Sequence, residues 1–132
     1  MRVYLDASPV IFYVQGIAGL EQKAASIIES SNNEIYASDL TQLEALVFPV
    51  RNNDQRLIRI FEEFFQNQVH EMWQFNSDVF RTATEIRARY NIRTADALHL
   101  AVAEINKCEL FLTNDLQLRR YPLLNIQIVE QL

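Results

Sequence analysis

Short apolar runs alternate with longer segments of helical periodicity along this chain, and the alternation limits the folds open to it. Arg2–Leu5, residues 34–37 and Leu110–Thr113 have the length and composition of buried strands. Two further strands are predicted at residues 69–73 and 126–129. Strands separated by helices predict a parallel sheet with helices on both faces and right-handed crossovers. We therefore expect an α/β fold with four or five parallel strands.

The segments between these strands carry the signals of helices. Ser8 before Pro9 predicts the start of the first helix, and Ser38 or Asp39 predicts the start of the third. The last helix, Thr94–Ile105, is apolar on most sides and is therefore expected to be buried. The predicted helices span residues 9–14, 18–29, 38–50, 55–67, 78–90 and 94–105.

Length and composition narrow the class of protein. A chain of 132 residues suits one domain with a single core, so residues 1–132 are taken as one domain. The net charge of −5 argues against nucleic-acid binding by bulk electrostatics, so any such contact must be local. Cys108 is the single cysteine, which excludes an intramolecular disulfide and argues against a Cys-based zinc site. No apolar run approaches the ~20 residues that cross a membrane, and an acid interrupts the first run too early for a signal peptide. We expect a cytoplasmic protein.

Four carboxylates stand beside or within apolar segments. Asp6 ends the first strand, and Asp115 follows the Leu110–Thr113 strand. Asp96 lies in the first turn of the apolar helix, and Glu44 lies in the apolar stripe of the third helix. An ionised carboxylate that faces a core must be paired or bind a cation. In parallel sheets the functional crevice lies at the carboxyl ends of the strands. Four carboxylates that converge there would suit a hard divalent metal, which prefers oxygen ligands.

Each acid also has an ordinary structural interpretation. Asp6 could cap the first helix, and Glu44 could form a capping box with Thr41. Asp96 could stabilise the dipole of its helix, and Asp115 could cap a turn. Convergence separates the two interpretations. Carboxylates ~4–6 Å apart with no arginine between them favour a metal site, whereas carboxylates each paired with an arginine favour caps and salt bridges.

Other residues carry weaker signals. His99 follows Asp96 by three residues, a spacing compatible with metal binding, but its apolar helix favours a hydrogen-bonded core histidine. No glycine-rich dinucleotide motif or Walker motif occurs, so a nucleotide cofactor has no residues to bind it. Arginines gather in three groups that we interpret as a solvated surface: Arg51, Arg56 and Arg59; Arg81, Arg87, Arg89 and Arg93; and Arg119 with Arg120.

The segments around the four acids resemble the motifs of PIN-domain nucleases. Residues 4–8, Tyr-Leu-Asp-Ala-Ser, are similar to the first motif, and residues 40–44, Leu-Thr-Gln-Leu-Glu, to the second. Residues 93–101, Arg-Thr-Ala-Asp-Ala-Leu-His-Leu-Ala, resemble the third and most specific motif. Residues 112–115, Leu-Thr-Asn-Asp, are similar to the fourth. All four occur in family order over nearly the whole chain, whose size resembles that of VapC-type toxins of prokaryotic toxin–antitoxin pairs.

The resemblance implies a five-stranded parallel sheet and a ribonuclease that uses Mg²⁺ or Mn²⁺ to hydrolyse RNA phosphodiester bonds. Asp6, Asp96 and Asp115 would then be the metal ligands. Glu44 would complete the catalytic set by binding a second ion or orienting the attacking water. The resemblance also implies a homodimer and a cognate antitoxin that occludes the site. Two hydroxyl residues are candidates to steer the carboxylates by hydrogen bonds: Ser8 and Thr113.

Two other functions stay open from the sequence. One is a PIN-type nuclease of RNA processing with no antitoxin. The other is a non-catalytic regulatory or binding domain, whose acids cap helices and pair with arginines. The fourth helix is a possible partner surface because its apolar residues cover more than one face, although burial within the monomer would explain them equally well. These residues are Leu57, Ile58, Ile60, Phe61, Phe64 and Phe65.

Overall fold

A sheet of five parallel strands runs through the computed structural model, which describes all residues from Met1 to Leu132. The predicted α/β fold is therefore confirmed, with five strands. The chain builds the sheet outward from β1 to β2 and β3 and then crosses to the other side of β1 for β4 and β5, which gives the order β3-β2-β1-β4-β5. The strands are β1 (Arg2–Leu5), β2 (Glu34–Ser38), β3 (Glu71–Trp73), β4 (Leu110–Thr113) and β5 (Ile126–Ile128).

The reversal of strand order places a switch point between β1 and β4. Neighbouring connections leave in opposite directions there, so a crevice opens outside the carboxyl ends of these two strands. Asp6 follows β1 directly, and its backbone N–H donates a hydrogen bond to the carbonyl oxygen of Leu112 in β4 (3.3 Å). The fold therefore brings the predicted edge residues of β1 and β4 into contact.

Helices cover both faces of the sheet, as predicted. Val3 and Leu5 of β1 belong to the core beneath α1, α2 and α4, whereas Tyr4 belongs to the core beneath α5 and α6. Burial on both faces explains why the strands are continuous apolar runs rather than alternating ones. The helices are α1 (Ala7–Gln15), α2 (Glu21–Ile28), α3 (Asp39–Arg51), α4 (Gln55–Asn67), α5 (Ser77–Tyr90) and α6 (Thr94–Ile105). Two 3₁₀ turns follow β4 and β5, at Leu116–Arg120 and Val129–Gln131.

The first helix begins two residues earlier than predicted. Asp6, not Ser8, is its N-cap, and the Asp6 side chain accepts a hydrogen bond from the Ser8 backbone N–H. The chain passes from β1 into α1 with no loop, so the strand-end carboxylate is already in place to cap. Pro9 therefore lies at the third helical position, where its missing N–H removes no intrahelical bond.

The third helix begins where the sequence indicates. Ser38, at the end of β2, is the N-cap of α3, and its side chain and the Thr41 side chain each accept the other's backbone N–H. This reciprocal pair is a capping box in which threonine takes the place usual for glutamate. The interpretation of Glu44 as a capping-box partner of Thr41 is therefore wrong. Glu44 lies in the second turn of α3, and its carboxylate is available for other contacts.

The fourth helix is packed within the monomer and does not offer the proposed free apolar face. Phe61, Phe64 and Phe65 are buried in the core beneath α1 and α2, and the other three apolar residues of α4 are half-buried. Four exposed apolar side chains lie on α3 instead: Leu43, Val47, Phe48 and Val50. None of the helices combines the length and apolar character needed to cross a membrane.

Candidate functional site

The four predicted acids lie at the ends of elements that meet at one edge of the sheet. Asp6 is the N-cap of α1, and Asp115 is the N-cap of the 3₁₀ turn that follows β4. Asp96 lies in the first turn of α6, and Glu44 in the second turn of α3. The order of strands and helices thus positions each carboxylate. What the acids can do depends on the contacts of each.

Asp6 is a buried carboxylate held only by uncharged donors. Its side chain is 7% exposed. The Thr113 hydroxyl at the end of β4 donates to Oδ2 at 2.5 Å, and the Ser8 backbone N–H donates to Oδ1 at 3.3 Å. The Thr113 hydroxyl in turn accepts the backbone N–H of Asp115 at 3.1 Å. Thr113 therefore fixes Asp6 relative to Asp115, whereas Ser8 contributes its backbone N–H rather than its hydroxyl.

Burial makes the ionised form of Asp6 unfavourable. Desolvation raises its pKa from 3.8 to about 6 and outweighs the nearby His99 and the Thr113 hydrogen bond, both of which lower it. The negative charge of Glu44 raises the pKa further. A buried carboxylate with no cationic partner is the arrangement that binding of a cation would relieve.

Glu44 is held by a buried histidine. Nε2 of His99 lies 2.6 Å from Oε1 of Glu44, and Nδ1 of His99 lies 2.7 Å from the Tyr4 hydroxyl. Burial raises the pKa of Tyr4, so its hydroxyl stays protonated and can donate to Nδ1. A carboxylate only accepts hydrogen bonds, so Nε2 of His99 donates to Glu44. The Tyr4 oxygen also lies 2.7 Å from the Ser38 hydroxyl, which ties this chain of hydrogen bonds to the start of α3.

His99 and Tyr4 are the members of the site that the sequence did not identify as functional. The sequence favoured a hydrogen-bonded core histidine, and His99 is indeed buried and bonded. Its partner Glu44 lies 55 positions away, so the contact had no local signal. A histidine in an otherwise apolar helix, together with a tyrosine in an apolar strand, was the available indication.

Asp96 and Asp115 share one arginine. Nη2 of Arg93 lies 3.1 Å from Oδ2 of Asp96 and 3.5 Å from Oδ2 of Asp115, and Nε of Arg93 donates to the same Asp96 oxygen at 3.1 Å. The pattern expected of salt-bridged acids therefore applies to these two carboxylates. Asp6 makes no salt bridge, and Glu44 pairs only with His99.

The predicted convergence of carboxylates is realised only in part. The acids occupy one edge, but no three Asp, Glu, His or Cys side chains lie close enough together to hold a single metal ion. The physical reason is charge: carboxylates with no cation among them repel one another, and an arginine within reach neutralises the accessible pair. The three acids are therefore not gathered around one point here, and their assignment as metal ligands stays a prediction.

The chemistry of the donors nevertheless fits Mg²⁺ or Mn²⁺. Both ions prefer oxygen ligands, and the edge supplies carboxylate oxygens with no thiol nearby. Asp6 is already oriented by Thr113 and lacks a counter-charge. The cation that pairs with Asp96 and Asp115 is the guanidinium of Arg93, a side chain that is 79% exposed.

Comparison with known proteins places these features in a family. A sequence model of the PIN domain matches residues 3–124. The curated proteins include no significant match. VapBC2 from Rickettsia felis, solved bound to a DNA fragment from its promoter, aligns with a TM-score of 0.78 at 16% identity, over 97% of this chain and 98% of that one.

Two further solved structures share the fold. A toxin–antitoxin complex from Klebsiella pneumoniae aligns with a TM-score of 0.72 at 18% identity, over 96% of this chain and 97% of that one. VapC20 from Mycobacterium tuberculosis, a toxin that cleaves the sarcin–ricin loop, aligns with a TM-score of 0.69 at 15% identity, over 83% of this chain and 86% of that one. At these identities the likeness concerns the fold.

The burial of Asp6 predicts a pH dependence of stability. Because the folded-state pKa of about 6 lies above the ordinary 3.8, the folded protein binds more protons between these values, and its stability falls as pH rises through that window. The loss amounts to about 3 kcal/mol, and Asp6→Asn should remove it, since asparagine is also a good N-cap. Urea unfolding in EDTA at pH 4 and pH 8 measures this difference.

Asp54→Asn is the matched control, because Asp54 caps α4 through the Leu57 backbone N–H at an exposed position. We expect Asp6→Asn to gain stability over wild type between pH 4 and pH 8, and Asp54→Asn to follow the wild-type pH profile. If the unfolding free energies of wild type and Asp6→Asn changed in parallel with pH, ionisation of Asp6 would not destabilise the fold.

Proposed function

Because the chain belongs to the PIN-domain family, we propose that it is a divalent-metal-dependent endoribonuclease, and the toxin of a type II toxin–antitoxin pair. The observation that carries the proposal is Asp6: a buried carboxylate at the switch point of the sheet, with a raised pKa and no cationic partner. A helix cap needs neither that burial nor that lack of a counter-charge. A non-catalytic domain would account for Asp96 and Asp115 through Arg93, but it leaves Asp6 unexplained.

In this proposal each residue of the edge has a distinct part. Asp6, Asp96 and Asp115 would hold Mg²⁺ or Mn²⁺, with Thr113 fixing the orientation of the Asp6 carboxylate. Bound metal lowers the pKa of a coordinated water and neutralises phosphate oxygens. Glu44, held by Nε2 of His99, would orient the attacking water and accept its proton. Its side chain is 34% exposed, so a water molecule can reach it.

The RNA substrate must be recognised locally, because the net charge of −5 disfavours long-range attraction to a polyanion. VapC20, the similar toxin from Mycobacterium tuberculosis, cleaves the sarcin–ricin loop. We propose RNA as the substrate class on this basis and on the family membership. A PIN-type nuclease of RNA processing, acting without an antitoxin, is the second candidate. Whether the chain binds an antitoxin distinguishes the two.

Removal of a single carboxylate should abolish cleavage. Asp6→Asn and Asp96→Asn should each lower the Mn²⁺-dependent cleavage rate of a fluorescent RNA by at least about 100-fold, because each loses a metal ligand. Asp78→Asn, an exposed acid on α5 paired with Arg81, controls for the loss of one charge and should keep the wild-type rate. Full activity of Asp6→Asn or Asp96→Asn would overturn the proposed site. A melting temperature that is the same in EDTA and in Mn²⁺ would argue for a non-catalytic domain.

We further propose a cognate antitoxin that docks in the groove between α1, α3 and α4. The structural relatives from Rickettsia felis and Klebsiella pneumoniae are complexes with antitoxins. The groove is lined by both apolar and polar side chains, and it includes Ala45, the neighbour of Glu44 in the sequence. An apolar anchor seated there can extend toward the acids and occlude them. The lining residues are Ile11, Gln15, Ala45, Phe48, Pro49, Asn52, Asp54 and Leu57.

The partner candidate is the product of the adjacent reading frame, a small protein with a DNA-binding N-terminus and an amphipathic tail. We expect it to bind and inhibit the nuclease, and Phe48→Ala to weaken binding at least about ten-fold, since interface aromatics dominate affinity. Phe80→Ala, which removes another exposed phenylalanine, on α5, is the control and should bind like wild type. Calorimetry measures both. No binding by that product would favour the RNA-processing nuclease.

The proposed homodimer has a surface on α3 rather than on α4. Leu43, Val47 and Val50 recur at helical spacing along one exposed side of α3, where a monomer would leave them in water. Val50→Arg should disrupt a dimer formed through this stripe while keeping the helix, because a cation suits the last turn of a helix.

Light scattering at micromolar concentration tests the assembly. We expect wild type at twice the monomer mass and Val50→Arg at the monomer mass. Leu123→Arg, an exposed leucine outside α3, should stay dimeric. A monomeric wild type would refute the homodimer, and a dimeric Val50→Arg would place the interface elsewhere.

A further inference from the structure

Arg93 occupies a position that the proposed metal also requires. A single guanidinium nitrogen, Nη2, lies within 3.5 Å of carboxylate oxygens from both Asp96 and Asp115. The two acids come from different parts of the chain, the first turn of α6 and the 3₁₀ turn after β4. Arg93 is the residue immediately before α6, and its side chain is the only cation that bridges two of the acids.

A metal ion and the guanidinium would compete for these two carboxylates. Arg93 already draws on Asp96 Oδ2 and Asp115 Oδ2, which are oxygens of the kind that Mg²⁺ takes as ligands. Two positive charges at such short separation would also repel each other. Arg93 therefore opposes the binding of a metal ion by Asp96 and Asp115, and bound metal would favour its departure.

Little holds Arg93 in place. Its side chain is 79% exposed, and its only side-chain partners are Asp96, through Nε and Nη2, and Asp115, through Nη2. A side chain this exposed gains little from its ion pairs, because water solvates the guanidinium well once it leaves. The arginine can swing into solvent while its backbone, the N-cap of α6, stays fixed beside the site.

On these grounds, and resting on the metal-dependent function proposed above, we infer that Arg93 is an internal competitor of the divalent metal. In the metal-free protein its guanidinium neutralises Asp96 and Asp115, and metal binding displaces it. The arginine thereby sets the metal concentration at which the site loads. The opposite role is a brace that holds the two acids in position for the metal, and the sign of one measurement separates the two roles.

Calorimetric titration of the full chain with Mn²⁺ alone provides that measurement. Arg93→Gln removes the competitor, so it should bind Mn²⁺ about two- to five-fold more tightly than wild type, a range typical of the loss of an exposed ion pair. Arg93→Lys keeps the charge but loses the planar group that bonds Asp96 through two nitrogens, so its affinity should lie between the two. Equal or weaker binding by Arg93→Gln would overturn the competitor role.

Arg81→Gln is the matched control. Arg81 also pairs with an aspartate three residues away, Asp78, and its removal changes the net charge equally. It should bind Mn²⁺ like wild type. An equal gain in affinity in Arg81→Gln would mean that bulk charge alone is responsible, and this also overturns the inference.

A second readout follows the arginine directly. The Nε–H resonance of Arg93, assigned by its loss in Arg93→Gln, should shift as Mg²⁺ is added, because its bond to Asp96 is broken. An unmoved resonance while Mg²⁺ binds would refute displacement.

The two proposals fail in distinguishable ways. If neither wild type nor Arg93→Gln binds a metal ion, both are refuted. If wild type binds and Arg93→Gln gains nothing, only the competitor role is refuted.

Discussion

The hydrogen bond between Thr113 and Asp6 is the contact on which the rest of the site depends. It joins the ends of β1 and β4 at the one place where the strand order reverses. The same hydroxyl accepts the backbone N–H of Asp115, so the turn after β4 is set by the group that fixes Asp6. Because all donors to Asp6 are uncharged, its negative charge is oriented but not neutralised. The fold thus presents a carboxylate whose position is fixed and whose charge is left for a ligand.

A second set of buried polar side chains lies on the other side of β1, and hydrogen bonds hold these side chains in place as well. Tyr4, Ser38, Thr41 and His99 are all buried, yet each finds hydrogen-bond partners among the others or on the backbone. Buried polar groups are tolerable only when satisfied in this way. The network ties β1, the start of α3 and α6 together, and its one carboxylate member, Glu44, faces solvent. A structural network thereby also determines the orientation of a proposed catalytic group.

The sequence predicted the secondary-structure elements better than the side-chain contacts between them. Every strand and α-helix was placed, because apolar runs and helical periodicity are local signals, and Ser38 was one of two candidate caps of α3. Ser8 was preferred to Asp6 as the cap of α1 because the absence of a loop after β1 cannot be read from composition. The pairings of Glu44 with His99 and of Asp115 with Arg93 are long-range contacts, set by strand order rather than by spacing. The family resemblance named the four acids but not the side chains that hold them.

Burial divides the acids into two kinds: one is desolvated and unpaired, and the other is partly exposed and paired with an arginine. Asp6 is desolvated, so its ionisation is opposed and its pKa is raised. Asp96 and Asp115 keep 18% and 32% of their side chains exposed, and the exposed Arg93 pairs with both. A cation that binds the edge therefore gains most at Asp6, where nothing has to be displaced, and least at the pair that Arg93 already neutralises. The unequal arrangement follows from the position of each acid. Asp6 follows the central strand β1 and is buried, whereas Asp96 in the first turn of α6 and Asp115 after β4 are more exposed.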